Sequence, residues 1–288
     1  MEFSVNVASK VPARFGKKMV KNLLMYILLI LVALIFVGPF LWLLSTSLKP
    51  ATQGVFSYPP TLIPEPPVFS NFVRAWNAVP LGKYMLNSLI LVAVIVPGNL
   101  LISSLAAYPL ARMKFPARNF IFLAILATMF LPEESKLVPL YILVQEMGMT
   151  NSWSGLIFPV LAGGLQVFLL RQAFLVIPKE IEQAAVVDGC GHWRMFWQVM
   201  LPLTKPTLAT AGVFSFISVW DSFIWPLIIL NDDSLYPIAL GLNYLMGTFD
   251  QDIRGLAAGT ILSLIPVVIF YLAMQRYFIE GISGAVKQ

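Results

Sequence analysis

Charge is scarce in this chain: Asp, Glu, Lys and Arg together make up 11% of 288 residues, against 58% for the hydrophobic set. With a mean hydropathy of +0.81 the composition lies far outside the range of soluble domains. The single cysteine, Cys190, excludes an internal disulfide, and with the single histidine, His192, it is too little for a dedicated metal site. No stretch reads G-x-x-x-x-G-K-[ST]; neither Gly16-Lys17-Lys18 nor Gly82-Lys83-Tyr84 completes a phosphate-cradling loop, so ATP has to be bound elsewhere. No hydrophilic run is long enough for an added soluble domain, and no repeat or low-complexity tract stands out.

What is present is a series of apolar runs. Asn22–Ser45, Met85–Ala111, Phe120–Met147, Leu156–Val176, Leu208–Leu230 and Leu256–Phe278 are each rich enough in Leu, Ile, Val and Phe to cross a bilayer as helices of roughly 20 residues. The expectation is an all-α integral membrane protein with six crossings and both ends on one side. Lys10, Arg14, Lys17, Lys18 and Lys21 precede the first run. Arg112, Lys114 and Arg118 follow the second, Lys179, Arg194 and Lys205 lie between the fourth and fifth, and Arg276 and Lys287 close the chain. That asymmetry places both termini and these loops in the cytoplasm, with Asp232, Asp233, Asp250 and Asp252 outside. The first run is too long for a signal-peptide core and reads as an uncleaved anchor. Residues 1–21 are then a basic N-terminus, 22–278 the membrane domain and 279–288 a C-terminal tail.

Between the first two runs, residues 48–83 hold Pro50, Pro59, Pro60, Pro64, Pro66, Pro67 and Pro80, which favour an extended, helix-poor external loop. It is either a cap on the outer face or part of a landing surface for an external protein. Residues 178–206 form the other polar interruption. They start at Pro178, pass through Ala184 and Ala185, break at Gly189 and Gly191, and resume with aromatics before Leu201-Pro202. That order describes two short helices meeting at a glycine turn. Trp193, Phe196 and Trp197 there are anchors against neighbouring span ends or a partner, or packing between the loop's own helices.

The pattern Ala184-Ala185, Gly189, Val199 and Leu201-Pro202 resembles the "EAA" loop of binding-protein-dependent ABC importer permeases. The resemblance extends across nearly the whole chain. Asn87-Ser88, Ala106-Ala107-Tyr108, Ala111-Arg112 and Phe115, Pro139-Leu140-Tyr141, Trp220, Phe223 and Pro226 look like the carbohydrate branch. With the tail Gln275-Arg276-Tyr277-Phe278, Gly281-Ile282 and Gly284-Ala285-Val286-Lys287, they are similar to the smaller, six-span subunit of maltose-type transporters. Small residues at this spacing also mark ordinary helix packing inside membranes, but these lie among charges outside any apolar run. The chain departs from the family pattern at Gln183, where Glu is usual, and at Gln288, where the family has Gly.

The resemblance implies a type I ABC importer architecture in a prokaryotic cytoplasmic membrane, in which this chain catalyses nothing and binds no cofactor. The implied partners are a second homologous permease, two ATPase subunits that hold ATP and Mg, an extracytoplasmic solute-binding protein, lipid and a carbohydrate, and no nucleic acid. Docking to the ATPase is then carried by Glu182, Gln183, Ala184, Ala185, Asp188, Gly189, Leu201 and Pro202, and ATPase closure rocks spans three to six.

A path for cargo is sought among polar groups at membrane depth. Glu133 and Glu134 interrupt the third run beside Lys136, at helical spacing from Glu133; the break either lines the path or is a structural charge cluster, at membrane depth or at the outer mouth. Gly163, Gly164 and Gln166 give the fourth run close backbone approach and one polar contact. Trp220, Asp221 and Ser222 in the fifth make a saccharide-facing set, with Asp221 the stronger bet because its burial needs a polar partner; Trp225 reads as packing. Cargo is a sugar, oligosaccharide or related polyol, or glycerol phosphate. The alternatives from other classes are a secondary transporter using Glu133, Glu134 and Asp221 as ion sites, and a membrane scaffold.

Overall fold

The computed structural model describes residues 14–59, 61–248 and 253–286, with side chains left undescribed from residue 276 onward and at a few earlier positions. Among the described residues every regular element is helical, in keeping with a backbone that has to satisfy its own hydrogen bonds in lipid. In order they are α1 (Arg14–Leu48), α2 (Ser70–Ala78), α3 (Leu81–Arg112), α4 (Arg118–Met129), α5 (Glu133–Glu146), α6 (Trp153–Ile157), α7 (Gly164–Val176) and α8 (Lys179–Val187). The short α9 (His192–Arg194), a π-helical turn (Met195–Met200) and α10 (Leu201–Leu203) lead into α11 (Lys205–Trp220), α12 (Ile224–Ile229), α13 (Ile238–Thr248) and α14 (Ile253–Val286).

Among the described residues α1, α3 and α14 are the single helices long and apolar enough to cross a bilayer, and α6 with its following turn meets α7 at a 40° bend, a pair that adds a fourth crossing if it is one span. The third and fifth apolar runs are broken, so helix length alone does not bear out a count of six. Each break has a local cause. Pro132 caps α5, where Glu133 and Glu134 fill the first turn and meet the positive end of the helix dipole. Lys136 closes the same break by donating from Nζ to the Thr128 carbonyl at 2.8 Å, near the end of α4, instead of serving Glu133. At the fifth run α11 stops at Trp220; Asp221 and Ser222 follow, residue types that compete with helical hydrogen bonding, and α12 takes Pro226 into its first turn, where no N–H is missed.

α3 is the central rod. It packs most heavily on α7 and α11, and its two halves belong to different cores. One core gathers Leu81, Tyr84, Leu91 and Ile95 of α3 with Val144, Leu156, Phe216, Trp220, Trp225 and Ile229. The other gathers Ala107, Tyr108, Leu110 and Ala111 with Val167, Leu170, Phe174, Met195, Phe196 and Met200. Arg112, Lys114, Arg118, Lys179 and Arg194 cluster at the second core's end, called here the basic end. α1 lies outside this bundle, packed on α14 with its apolar window otherwise open.

The proline-rich segment at the opposite end is a clamped cap, and it contains α2, a helix that the proline count hides. Asn71 on α2 is buried and its Nδ2 donates to the carbonyls of Ser47 (2.9 Å) and Lys49 (3.0 Å). Gln53 bridges Ile63 and Glu65, while Arg254 at the start of α14 donates to the carbonyls of Pro50 and Gln53. At the other terminus α14 continues through the segment expected as a tail, to Val286. Lys10, Asp250, Asp252, Lys287 and Gln288 lie outside the described residues.

Candidate coupling loop and cargo path

The loop at the basic end has the expected two-helix form. α8 begins after Pro178, carries Glu180 and Glu182 in its first turn, and ends in a Schellman turn. In that turn the N–H of Gly189 donates to Val186 and that of Cys190 to Ala185, at 3.0 and 2.9 Å. Gly189 adopts φ +79°, and a Cβ placed there would meet nothing within 4 Å. The glycine is required by its backbone angle, not by crowding.

The faces of α8 differ. Gln183, Ala184, Asp188 and Gly189 are exposed, Ala185 is half-buried, and Val186 and Val187 stand 60% and 86% exposed. Leu201 is half-buried and Pro202 exposed. Glu182 turns the other way: its carboxylate lies 3.5 Å from Nη1 of Arg112, the last residue of α3, whose side chain is 5% exposed. Arg112 also donates from Nη2 to the Ile177 carbonyl, just ahead of α8. The three loop aromatics separate likewise. Phe196 is buried against Tyr108 and Phe174, with ring centroids at 5.4 and 6.4 Å, whereas Trp193 and Trp197 stay exposed.

The residues expected along the cargo path fall at or beside the helix breaks, but not as one cluster. Glu133 and Glu134 are exposed at the break between α4 and α5. Gly164 opens α7 against α4: a Cβ there would lie 2.9 Å from the Met129 side chain and 3.3 Å from the Ile125 carbonyl, so the close approach expected of it is present. Gln166 is buried, with its Oε1 folded over Gly163. Asp221 is exposed, which corrects the expectation of a buried carboxylate; α11 ends there and turns the side chain out of the packed interior. Trp220 is buried and stacked on Phe216 at 5.6 Å, and Ser222 is half-buried beside it in sequence. Trp225 is a packing residue as expected, donating from Nε1 to the Gly155 carbonyl at 3.1 Å.

Two functional-looking residues were missed. Asn99 of α3, buried, donates from Nδ2 to the carbonyls of Val160 (3.1 Å) and Leu161 (3.3 Å), the groups freed by the bend before α7. Arg171 of α7 donates to the Leu110 carbonyl at 3.1 Å and lies 3.9 Å above the Phe122 ring. The available signals were a carboxamide midway along the second apolar run and the one charged side chain in the fourth.

Residues 98–284 match the family described as "Binding-protein-dependent transport system inner membrane component". The chain belongs to this family. It is 35% identical to the sn-glycerol-3-phosphate transport system permease protein UgpE of Yersinia pestis bv. Antiqua (strain Antiqua), covering 81% of this chain and 86% of the relative. It is 34% identical to the arabinooligosaccharides transport system permease protein AraQ of Halalkalibacterium halodurans, covering 89% and 93%. To the diacetylchitobiose uptake system permease protein NgcG of Streptomyces coelicolor it is again 34% identical, covering 91% and 86%. The fold matches a chain of a bacterial ABC transporter involved in import of the acidic polysaccharide alginate, with TM-score 0.77, 21% identity, and 96% of this chain and 100% of that one covered. This binding-protein-dependent permease is therefore an inner-membrane transport component with an ABC importer fold.

Proposed function

We propose that the permease forms half of the translocation path of an ATP-driven importer for a sugar, oligosaccharide or related polyol or glycoside. The carrying observation is the α8 loop at the basic end, with its small, exposed face around Ala184 and its positive-φ glycine. In this reading that face seats in a groove on one of two ATPase subunits, which hold ATP and Mg. A second homologous permease supplies the other half of the path, and a solute-binding protein delivers cargo to the opposite end. The basic end and both termini are cytoplasmic by the positive-inside asymmetry. The contact set is Gln183, Ala184, Ala185, Asp188 and Gly189, with Leu201 and Pro202 closing the loop, and Gln183 supplies hydrogen bonds without charge. Loss of an exposed pair there costs about 0–1 kcal/mol, so docking survives the departure from the family's Glu.

AraQ and NgcG point to oligosaccharides and UgpE to glycerol 3-phosphate. The basic side chains within the third and fourth apolar runs favour the uncharged cargo: Lys136 is committed to Thr128, and Arg171 to Leu110 and Phe122. The half-buried Ser222 and the exposed Asp221, Glu133 and Glu134 offer hydroxyl-binding groups beside the breaks. The test is uptake by the reconstituted complex, with cargo named by binding to its solute-binding protein. Uptake that continues on an ion gradient with ATP exhausted sinks this reading in favour of a secondary transporter.

A further inference from the structure

Two of the contacts that hold the α8 loop to the permease's own body lie on α3, beside the packing of Phe196 on Phe174 of α7. Glu182 pairs with Arg112 at 3.5 Å, and Phe196 of the π-helical turn packs on Tyr108 at 5.4 Å. Tyr108 and Arg112 are four residues apart, so they share one face of α3 a single turn from each other. The Arg112 guanidinium also reaches the Ile177 carbonyl, so one cation grips both the lead-in to α8 and its first turn. Its Nε is buried without an acceptor, a costly arrangement for a donor.

α3 then runs unbroken for 32 residues, about 48 Å at 1.5 Å per residue, to the opposite end of the bundle. There Asn87 donates to the carbonyls of Ser234 (2.9 Å) and Tyr236 (3.0 Å), and Ser88 accepts from the N–H of Ile238 at 2.8 Å. One continuous helix thus grips the α8 loop at one end and the segment leading into α13 at the other. The third, fourth and fifth apolar runs, by contrast, are bent or broken partway.

We infer that Glu182 is an internal positioning residue, not an ATPase contact: its pair with Arg112 transmits movement of α8 into α3, which carries it across the membrane. The inference rests on the reading of the α8 loop as the ATPase-facing element. It adds α3, the second apolar run, to the spans three to six that the loop is expected to rock, because Glu182 and Phe196 also tie the loop to α3.

The test uses the complete complex in lipid nanodiscs, with ATP hydrolysis measured with and without its solute-binding protein. Wild type is measured first; if it hydrolyses no ATP, the importer reading fails and the pair is irrelevant. Glu182→Gln and Arg112→Gln are expected to retain the ATPase subunits on purification. In both, stimulation by the binding protein is expected to fall about fivefold or more, the lower edge of usual inter-site couplings. Arg112→Lys is expected to keep most of the stimulation, and the reversed pair, Glu182→Arg with Arg112→Glu, to regain part of what either reversal alone loses. Shedding of the ATPase subunits by Glu182→Gln overturns the inference and makes Glu182 a docking residue. Unchanged stimulation in Glu182→Gln, with lower heat stability alone, overturns it too and leaves the pair structural.

Discussion

Changing Gly189 to alanine separates two duties of a hinge glycine. The site has open space around the missing Cβ, so the penalty comes only from φ +79°, about 1–2 kcal/mol for an ordinary L-residue. Gly189→Ala is expected to weaken the end of α8 and lower transport per ATP, while Gly189→Asn, tolerant of the left-handed region, retains most of it. Equal loss in both variants, in a coupled uptake assay, would instead mean that the partner packs against the glycine itself. At the opposite end Asp232 accepts from the Ser234 N–H at 2.8 Å, and that bond holds its carboxyl below the usual aspartate range. A lowered folded value means its stabilisation is complete above about pH 4 and is lost as pH falls further. Protection of the Ser234 amide, measured against its intrinsic exchange rate at each pH, is expected to fall through that acid window, and Asp232→Asn to remove the dependence. At this scale the glycine turn was readable because a single residue type answers a single backbone need. The exposure of Asp221 was not, because position along an apolar run does not say on which residue the helix stops.

Among the elements, α1, α3 and α14 were readable from long apolar runs, and the α8 loop from its punctuation by Pro178, Gly189, Gly191 and Pro202. The breaks were harder: a run apolar on every side has no periodic face to interrupt, so a bend leaves little trace beyond Gly163, Pro132 or Asp221. α2 escaped for the opposite reason, since seven surrounding prolines masked the proline-free Ser70–Ala78. The bend before α7 depends on a residue from another element. Asn99→Ala leaves the Val160 and Leu161 carbonyls without their donor, at an expected cost of about 0.5–1.5 kcal/mol for a part-buried hydrogen bond. The variant is expected to unfold at lower temperature in detergent and to show reduced uptake. Asn99→Gln, unable to keep the same short reach, is expected to recover little of either. A variant as heat-stable as wild type would show that the bend is set by Gly163 and Gly164 alone.

At the scale of the whole molecule, large apolar side chains lie open: Leu24, Leu28, Ile35 and Phe36 of α1, and Phe120, Leu123 and Phe130 around α4. Such a surface is stable only when lipid or another permease covers it, so the isolated chain is expected to require detergent or its partner to remain in solution. The same view fixes how orientation is to be tested. The membrane's sidedness enters the proposal only through Lys and Arg placement, and the proposed coupling depends on the α8 loop facing the cytoplasm. A single cysteine makes this measurable. With Cys190→Ser as background, Val187→Cys presents a thiol at a position 86% exposed, two residues before Gly189. A membrane-impermeant maleimide is expected to label it in inside-out vesicles and to spare it in intact cells, and added ATPase subunits are expected to protect it. Labelling in intact cells would put the basic end outside, reverse the charge argument, and remove the surface on which an ATP-driven stroke could act.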